Sequence, residues 1–203
     1  MSKINGIYAA SVSILDENLK LDIHKTIRHA ENLIKSGCHG VVIFGSTGQS
    51  QLISLEEKFE LIQNISKSIF KDKFIIGTGL NSLQDTISLI KISNSYNFNN
   101  FLIMPPAYYM YEDKDVIRFY IKLIEKLSNC KIILYNFEKL SGYKFSKESV
   151  EKLVSLFPEN IIGVKDSSYN LFEHLKLKNF SILPGSELKL LKGLEIGLSL
   201  IHI

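Results

Sequence analysis

A chain of 203 residues with 45% hydrophobic and 22% charged side chains can bury a sizeable core, which argues against intrinsic disorder and makes one domain over residues 1–203 the expectation. The net charge of +3, with Lys and Glu interspersed, supplies no basic block for a nucleic acid, and no apolar run approaches the roughly 20 residues that span a bilayer, so neither nucleic acid nor membrane is an expected partner. Cys38 and Cys130 lie outside any CxxC spacing, the histidines are scattered, and Met1 leads into a polar segment, so no metal, no disulfide and a cytoplasmic location are expected.

Short apolar runs of strand length alternate with amphipathic stretches of helix length. The strands expected are Gly6 to Ser13, His39 to Gly45, Phe74 to Gly79, Asn100 to Pro106, Lys131 to Phe137, Ile161 to Ser167 and Ser181 to Gly185. Between and after them the pattern predicts helices at Asp22 to Ser36, Ser54 to Phe70, Ser82 to Ser95, Asp113 to Leu127, Ser146 to Phe157, Asn170 to Lys176 and Glu187 to Leu194. Ser54 followed by Glu57 reads as a capping box, and Ser146 starts the fifth helix in the same way. Serial βα units give a parallel sheet with right-handed crossovers. No Gly-rich dinucleotide loop follows the first strand, so a (β/α)8 TIM barrel is favoured over a doubly wound sheet. Barrels of this kind run to about 250 residues. The expectation is therefore a barrel truncated before or within its eighth strand. Residues 198–203 are either that last strand or sequence that is not native, since Leu-Ser-Leu-Ile-His-Ile is also what a sequencing-library transposon end encodes in frame.

In α/β barrels the working residues sit at the carboxyl ends of the strands. The sixth run drives Lys165 to the end of a buried apolar stretch, Ile161-Ile162-Gly163-Val164. Desolvation favours the neutral form of an amine, which is a nucleophile able to form a Schiff base with a carbonyl. Alone, such a lysine reads first as a strand-end side chain snorkelling to solvent. The fifth run ends at Tyr135, whose strand neighbours that of Lys165, so a phenol able to relay protons can face the amine. After the second run, Gly45-Ser46-Thr47-Gly48 offers hydroxyls and backbone N–H groups as a carboxylate cradle, or forms a plain βα turn. Gly77-Thr78-Gly79 permits close approach of backbone or ligand, and Tyr108 and Tyr109 place phenols at the rim.

Taken together, Gly45-Ser46-Thr47-Gly48-Gln49, Gly77-Thr78-Gly79-Leu80-Asn81, Leu134-Tyr135-Asn136 with Ser141-Gly142, and Gly163-Val164-Lys165-Asp166-Ser167-Ser168 resemble, in order, the dihydrodipicolinate synthase and N-acetylneuraminate lyase family. These are pyruvate-dependent class I aldolases on a TIM barrel, and the resemblance runs from about Gly6 to Gly197. It implies that Lys165 forms an imine with pyruvate or another 2-keto acid, without any cofactor, and that Tyr135 relays protons. It further implies that Ser46, Thr47 and Gly48 receive the keto acid's carboxylate, with Thr47 hydrogen-bonded into the relay. A tyrosine from a neighbouring subunit would complete that relay, Tyr108 or its competitor Tyr109, in a homo-oligomer, a dimer or tetramer.

Departures bear on the branch. The synthases have an Arg where Leu140 stands, and leucine cannot grip a second carboxylate. Ser46-Thr47 and Leu140-Ser141-Gly142 look more like the neuraminate lyases, yet Ser186-Glu187-Leu188 lacks their paired acidic residues, and Gln49 replaces the commoner Glu. The Val164-Lys165-Asp166 surroundings are closer to synthases and 2-keto-3-deoxy-sugar-acid aldolases. The expected activity is a lyase or aldolase acting on a 2-keto-3-deoxy acid. The alternatives are 4-hydroxy-tetrahydrodipicolinate synthase, joining pyruvate to aspartate semialdehyde, and a non-catalytic barrel fragment with open sheet edges.

Overall fold

The structure, a computed structural model, describes residues 4–127, 129–195 and 200–202. Its centre is one parallel sheet of strands β1 (Ile7–Ala10), β2 (Gly40–Ile43), β3 (Phe74–Gly77), β4 (Asn100–Ile103), β5 (Lys131–Asn136), β6 (Ile161–Asp166), β7 (Ser181–Pro184) and β8 (Leu200–His202). The ladder runs β7-β6-β5-β4-β3-β2-β1-β8. Sequential strands lie side by side, as serial crossovers dictate. The sheet curls until its end strands, β7 and β8, approach one another, with no hydrogen-bonded ladder between them among the described residues. The eighth strand is thus present as a short segment paired with β1, with Ile7 opposite Leu200. The remainder of the 198–203 expectation, Leu198, Ser199 and Ile203, lies outside the described residues.

Helices α1 (Ile23–Lys35), α2 (Leu55–Ile65), α3 (Leu83–Ser95), α4 (Asp113–Lys126), α5 (Glu138–Ser141), α6 (Lys147–Leu156) and α7 (Leu190–Glu195) complete the chain. Asp22, Ser54, Ser82 and Ser146 each accept a backbone N–H of the first turn, and at α2 Glu57 returns the bond to Ser54, the reciprocal capping box. Helix α2 ends earlier than its pattern predicts. Ile69, which prolonged the apolar period, is 90% exposed and contributes nothing to packing.

Apolar residues fill both faces of the strands, as a sheet covered by helices requires. Val42, Ile75, Leu102, Ile133 and Leu183 meet inside the curl, while Val41, Ile43, Ile76, Phe101 and Leu134 point outward against the helices. Two local expectations fail. Asn170 to Lys176 is a series of bends and turns, not a helix, because the buried Asp166 carboxylate accepts the backbone N–H groups of Tyr169, Leu171 and Phe172 and so bends the chain around itself. Leu171, Phe172 and Leu175 still reach the core, which explains the misleading period. The second miss is α5, a single turn after β5 that ends at Gly142 with φ of 72°, the left-handed conformation glycine accommodates.

Candidate active site

Strand register builds the centre of the site. Strands β5 and β6 pair with Tyr135 opposite Lys165 and Asn136 opposite Asp166. Both Tyr135 and Lys165 are buried, the lysine to 1% exposure. The Lys165 Nζ donates to the Tyr135 hydroxyl at 3.3 Å and lies 4.5 Å from the centre of its ring. That hydroxyl is in turn 2.8 Å from Ser46 Oγ. Since Tyr135 accepts from the amine, its own proton is free to go to Ser46. An amine, a phenol and an alcohol therefore form one hydrogen-bonded row at the carboxyl end of the sheet.

Ser46 reaches Tyr135 because the backbone on either side of it is tightly bent. Phe44 and Gln49 both hold left-handed φ angles, 54° and 49°, which non-glycine residues adopt rarely and at a cost of order 1–3 kcal/mol. The turn closes on itself through Gln49 N–H to Ser46 C=O at 3.0 Å and Ser50 N–H to Gly45 C=O at 3.3 Å. Gly77 lies so close beneath it that a Cβ would collide with the Phe44 carbonyl. The hydroxyl that meets Tyr135 is thus that of Ser46, where the sequence reading assigned the contact to Thr47. No hydrogen bond joins Thr47, which is half-buried, to Tyr135. Gly48 is buried against the carbonyl of Ser11, and its own carbonyl accepts from Ser13 Oγ at 2.6 Å, so it seats the turn on the chain leaving β1.

A cavity of about 210 Å³ opens beside Ser46 and Tyr135, walled by Phe44, Leu52, Leu102, Met104 and Leu140, with Gln49 and Gln51 at its edge. None of its lining side chains is charged. Leu140 is carried there by α5. Tyr108 stands apart from the row, 88% exposed, its φ of 86° turning it outward, with its ring edge-on to Tyr109. Among the described residues no helix is long and apolar enough to cross a membrane.

Two buried polar groups near the site escaped the sequence reading. Asn136 bridges the strand ends, its Nδ2 donating to Asp166 and Asn170, each at 2.8 Å, and its Oδ1 accepting from Phe145 N–H. Lys58 is fully buried on α2. Its signal was legible, because it occupies the helix's own core stripe with Leu61, Ile62 and Ile65, a position where an ordinary surface lysine does not belong.

These features define a class, an α/β chain of barrel type whose amine, phenol and hydroxyl meet where parallel strands end. Within that class the chain belongs to the Dihydrodipicolinate synthetase family, whose model matches residues 3–200. Among curated relatives, the 4-hydroxy-tetrahydrodipicolinate synthase of Karelsulcia muelleri is 28% identical over 195 residues, 92% of this chain and 65% of that one. The chain spans just under two thirds of that relative's length. Among solved structures, dihydrodipicolinate synthase from Agrobacterium tumefaciens superposes with a TM-score of 0.89 at 26% identity, covering 98% of this chain and 72% of that one. A 2-keto 3-deoxygluconate aldolase from Picrophilus torridus gives a TM-score of 0.90 at 24% identity, over 98% of this chain and 73% of that one.

Proposed function

We propose that the protein is a Schiff-base-forming lyase or aldolase that makes or breaks a carbon–carbon bond between pyruvate and an aldehyde, acting on a 2-keto-3-deoxy acid. The observation that carries this reading is the row Lys165, Tyr135, Ser46, a buried amine in hydrogen-bond contact with a phenol that is itself coupled to an alcohol. The Lys165 amine attacks the keto carbon, the carbinolamine loses water, and the protonated imine draws in the electrons of the C3–C4 bond as the C4 hydroxyl gives up its proton. That bond breaks to leave an enamine and release the aldehyde. Protonation of the enamine and hydrolysis of the imine return pyruvate and the amine.

Tyr135 is placed to pass the protons these steps demand, and Ser46 to steady the phenol or the substrate carboxylate. Thr47 is offered as the second hydroxyl at the carboxylate. Tyr108, exposed at the rim, is the group we assign to complete the relay across a homo-oligomer. Condensation as a synthase is the same chemistry reversed. The uncharged Leu140 wall favours a partner whose far end is not gripped as a carboxylate.

Borohydride reduction of the protein with pyruvate, followed by peptide mapping, tests the reading. A reduced pyruvyl adduct on Lys165, absent in Lys165→Ala, supports it. No adduct on folded protein overturns it.

A further inference from the structure

Lys58 has no part in the chemistry above, yet it is as deeply buried as Lys165. Burial of an ammonium is unfavourable unless strong contacts offset it, and a methionine in this stripe would avoid the penalty. Lys58 takes part in no ion pair among the described residues. Its Nζ donates to the Thr78 carbonyl at 3.1 Å, and the same carbonyl accepts Ser50 Oγ at 3.1 Å. On the other side the Nζ lies 5.8 Å from the centre of the Phe44 ring. Phe44 and Ser50 are the two flanks of the turn that presents Ser46. Gly79 is glycine at the same crossing because a Cβ there would strike Ser50 Oγ.

We propose that Lys58 is a positioning residue, whose ammonium ties the chain leaving β3 to the Phe44 flank of the Ser46 turn while Ser50 ties the other flank to the same Thr78 carbonyl, the two together holding Ser46 on Tyr135. As a statement about catalysis this rests on the Schiff-base reading; as a statement about the turn it does not. The groups facing Lys58 leave its charge to do the work. Asp85 on α3 is the carboxylate whose field favours the ammonium, and it lies beyond ion-pair distance. Glu57, the next residue on α2, is held by the backbone of Leu21 and Ser54, and Phe44, Ser50 and Thr78 do not titrate. Burial pushes the Lys58 ammonium down to about 8, so the charge-assisted bond to Thr78 weakens as pH rises through that value.

The experiment uses the full chain with Lys58→Met and Lys58→Arg. The expected result for Lys58→Met is a trapping rate with pyruvate about tenfold lower, the scale of one charge-assisted hydrogen bond, together with faster hydrogen exchange in residues 45–52 and unchanged exchange in α4. Lys58→Arg restores the rate and lacks the decline that wild type shows above about pH 8. Should Lys58→Met not fold, Ser50→Ala breaks the other end of the clamp and carries the same expectation. If wild type itself gives no adduct, the Schiff-base reading fails and exchange in residues 45–52 alone decides the clamp. Unchanged exchange and an unchanged trapping rate in a folded variant would overturn it.

Discussion

Strand β6 and helix α2 each carry a lysine removed from water, Lys165 at the strand's end and Lys58 reaching the chain just past β3, and their surroundings differ in kind. Lys165 faces a phenol that can both accept and give a proton and that itself lines the cavity. Lys58 faces a backbone carbonyl that can only accept, and an aromatic face that stabilises only a cation. Burial lowers the pKa of Lys58 although its hydrogen-bond partner is a carbonyl that cannot pass a proton, so a perturbed amine by itself does not mark a nucleophile. Reactivity needs a partner that exchanges protons and room for a carbonyl. Clamping needs only a fixed acceptor.

The contrast is broken most severely at the phenol. Tyr135→Phe keeps the Lys165 amine but removes the relay, and the rate of adduct formation should fall by about a hundredfold or more, measured by single-turnover trapping. If the rate holds, the row is packing. On the clamp side, the sign of the pH effect distinguishes the lysine. The folded state releases the Lys58 proton near 8, the unfolded chain only near about 10.4, so across that window the unfolded state binds more protons and stability rises with pH. The gain is on the order of 3 kcal/mol and should vanish from urea-unfolding curves of Lys58→Met.

Cys130 acts in the opposite direction. Burial pushes its thiol up to about 12, while an unfolded thiol ionises from about 8.5, so stability falls as pH rises between them. Cys130→Ala should remove a loss of about 2 kcal/mol at pH 10, and comparison with Lys58→Met separates two slopes that partly cancel in wild type. The smallest effect belongs to Ser46→Ala. Loss of one hydrogen bond to Tyr135 should slow trapping by about fivefold, and a larger drop would mean that Ser46 also touches substrate.

Much of the site was legible because it depends on strand order. Serial βα units place β5 beside β6, and counting to the strand ends sets Tyr135 opposite Lys165. The assignment of a relay hydroxyl to Thr47 in place of Ser46 was not recoverable in that way. Which of two adjacent hydroxyls turns inward depends on the left-handed backbone at Phe44 and Gln49, and neither residue type announces it. The helix expected at Asn170 to Lys176 failed for a related reason. Its apolar spacing serves a loop wrapped around the Asp166 carboxylate, and a side chain capturing backbone N–H groups leaves no trace in hydrophobic periodicity.

The alternation of strands and helices, the helix starts at Ser54 and Ser146, and the pairing of a lysine with a tyrosine could be read from the chain alone, since each follows from local periodicity, capping chemistry or the order of units. That Ser46 completes the row, that the chain after β6 wraps the Asp166 carboxylate instead of forming a helix, and that Lys58 meets the Thr78 carbonyl came from the assembled fold. Those outcomes rest on hydrogen bonds between groups distant in sequence, such as Lys58 to Thr78 and Ser46 to Tyr135. Their formation depends on how the curled sheet brings strand ends together, not on the residues beside them in the chain.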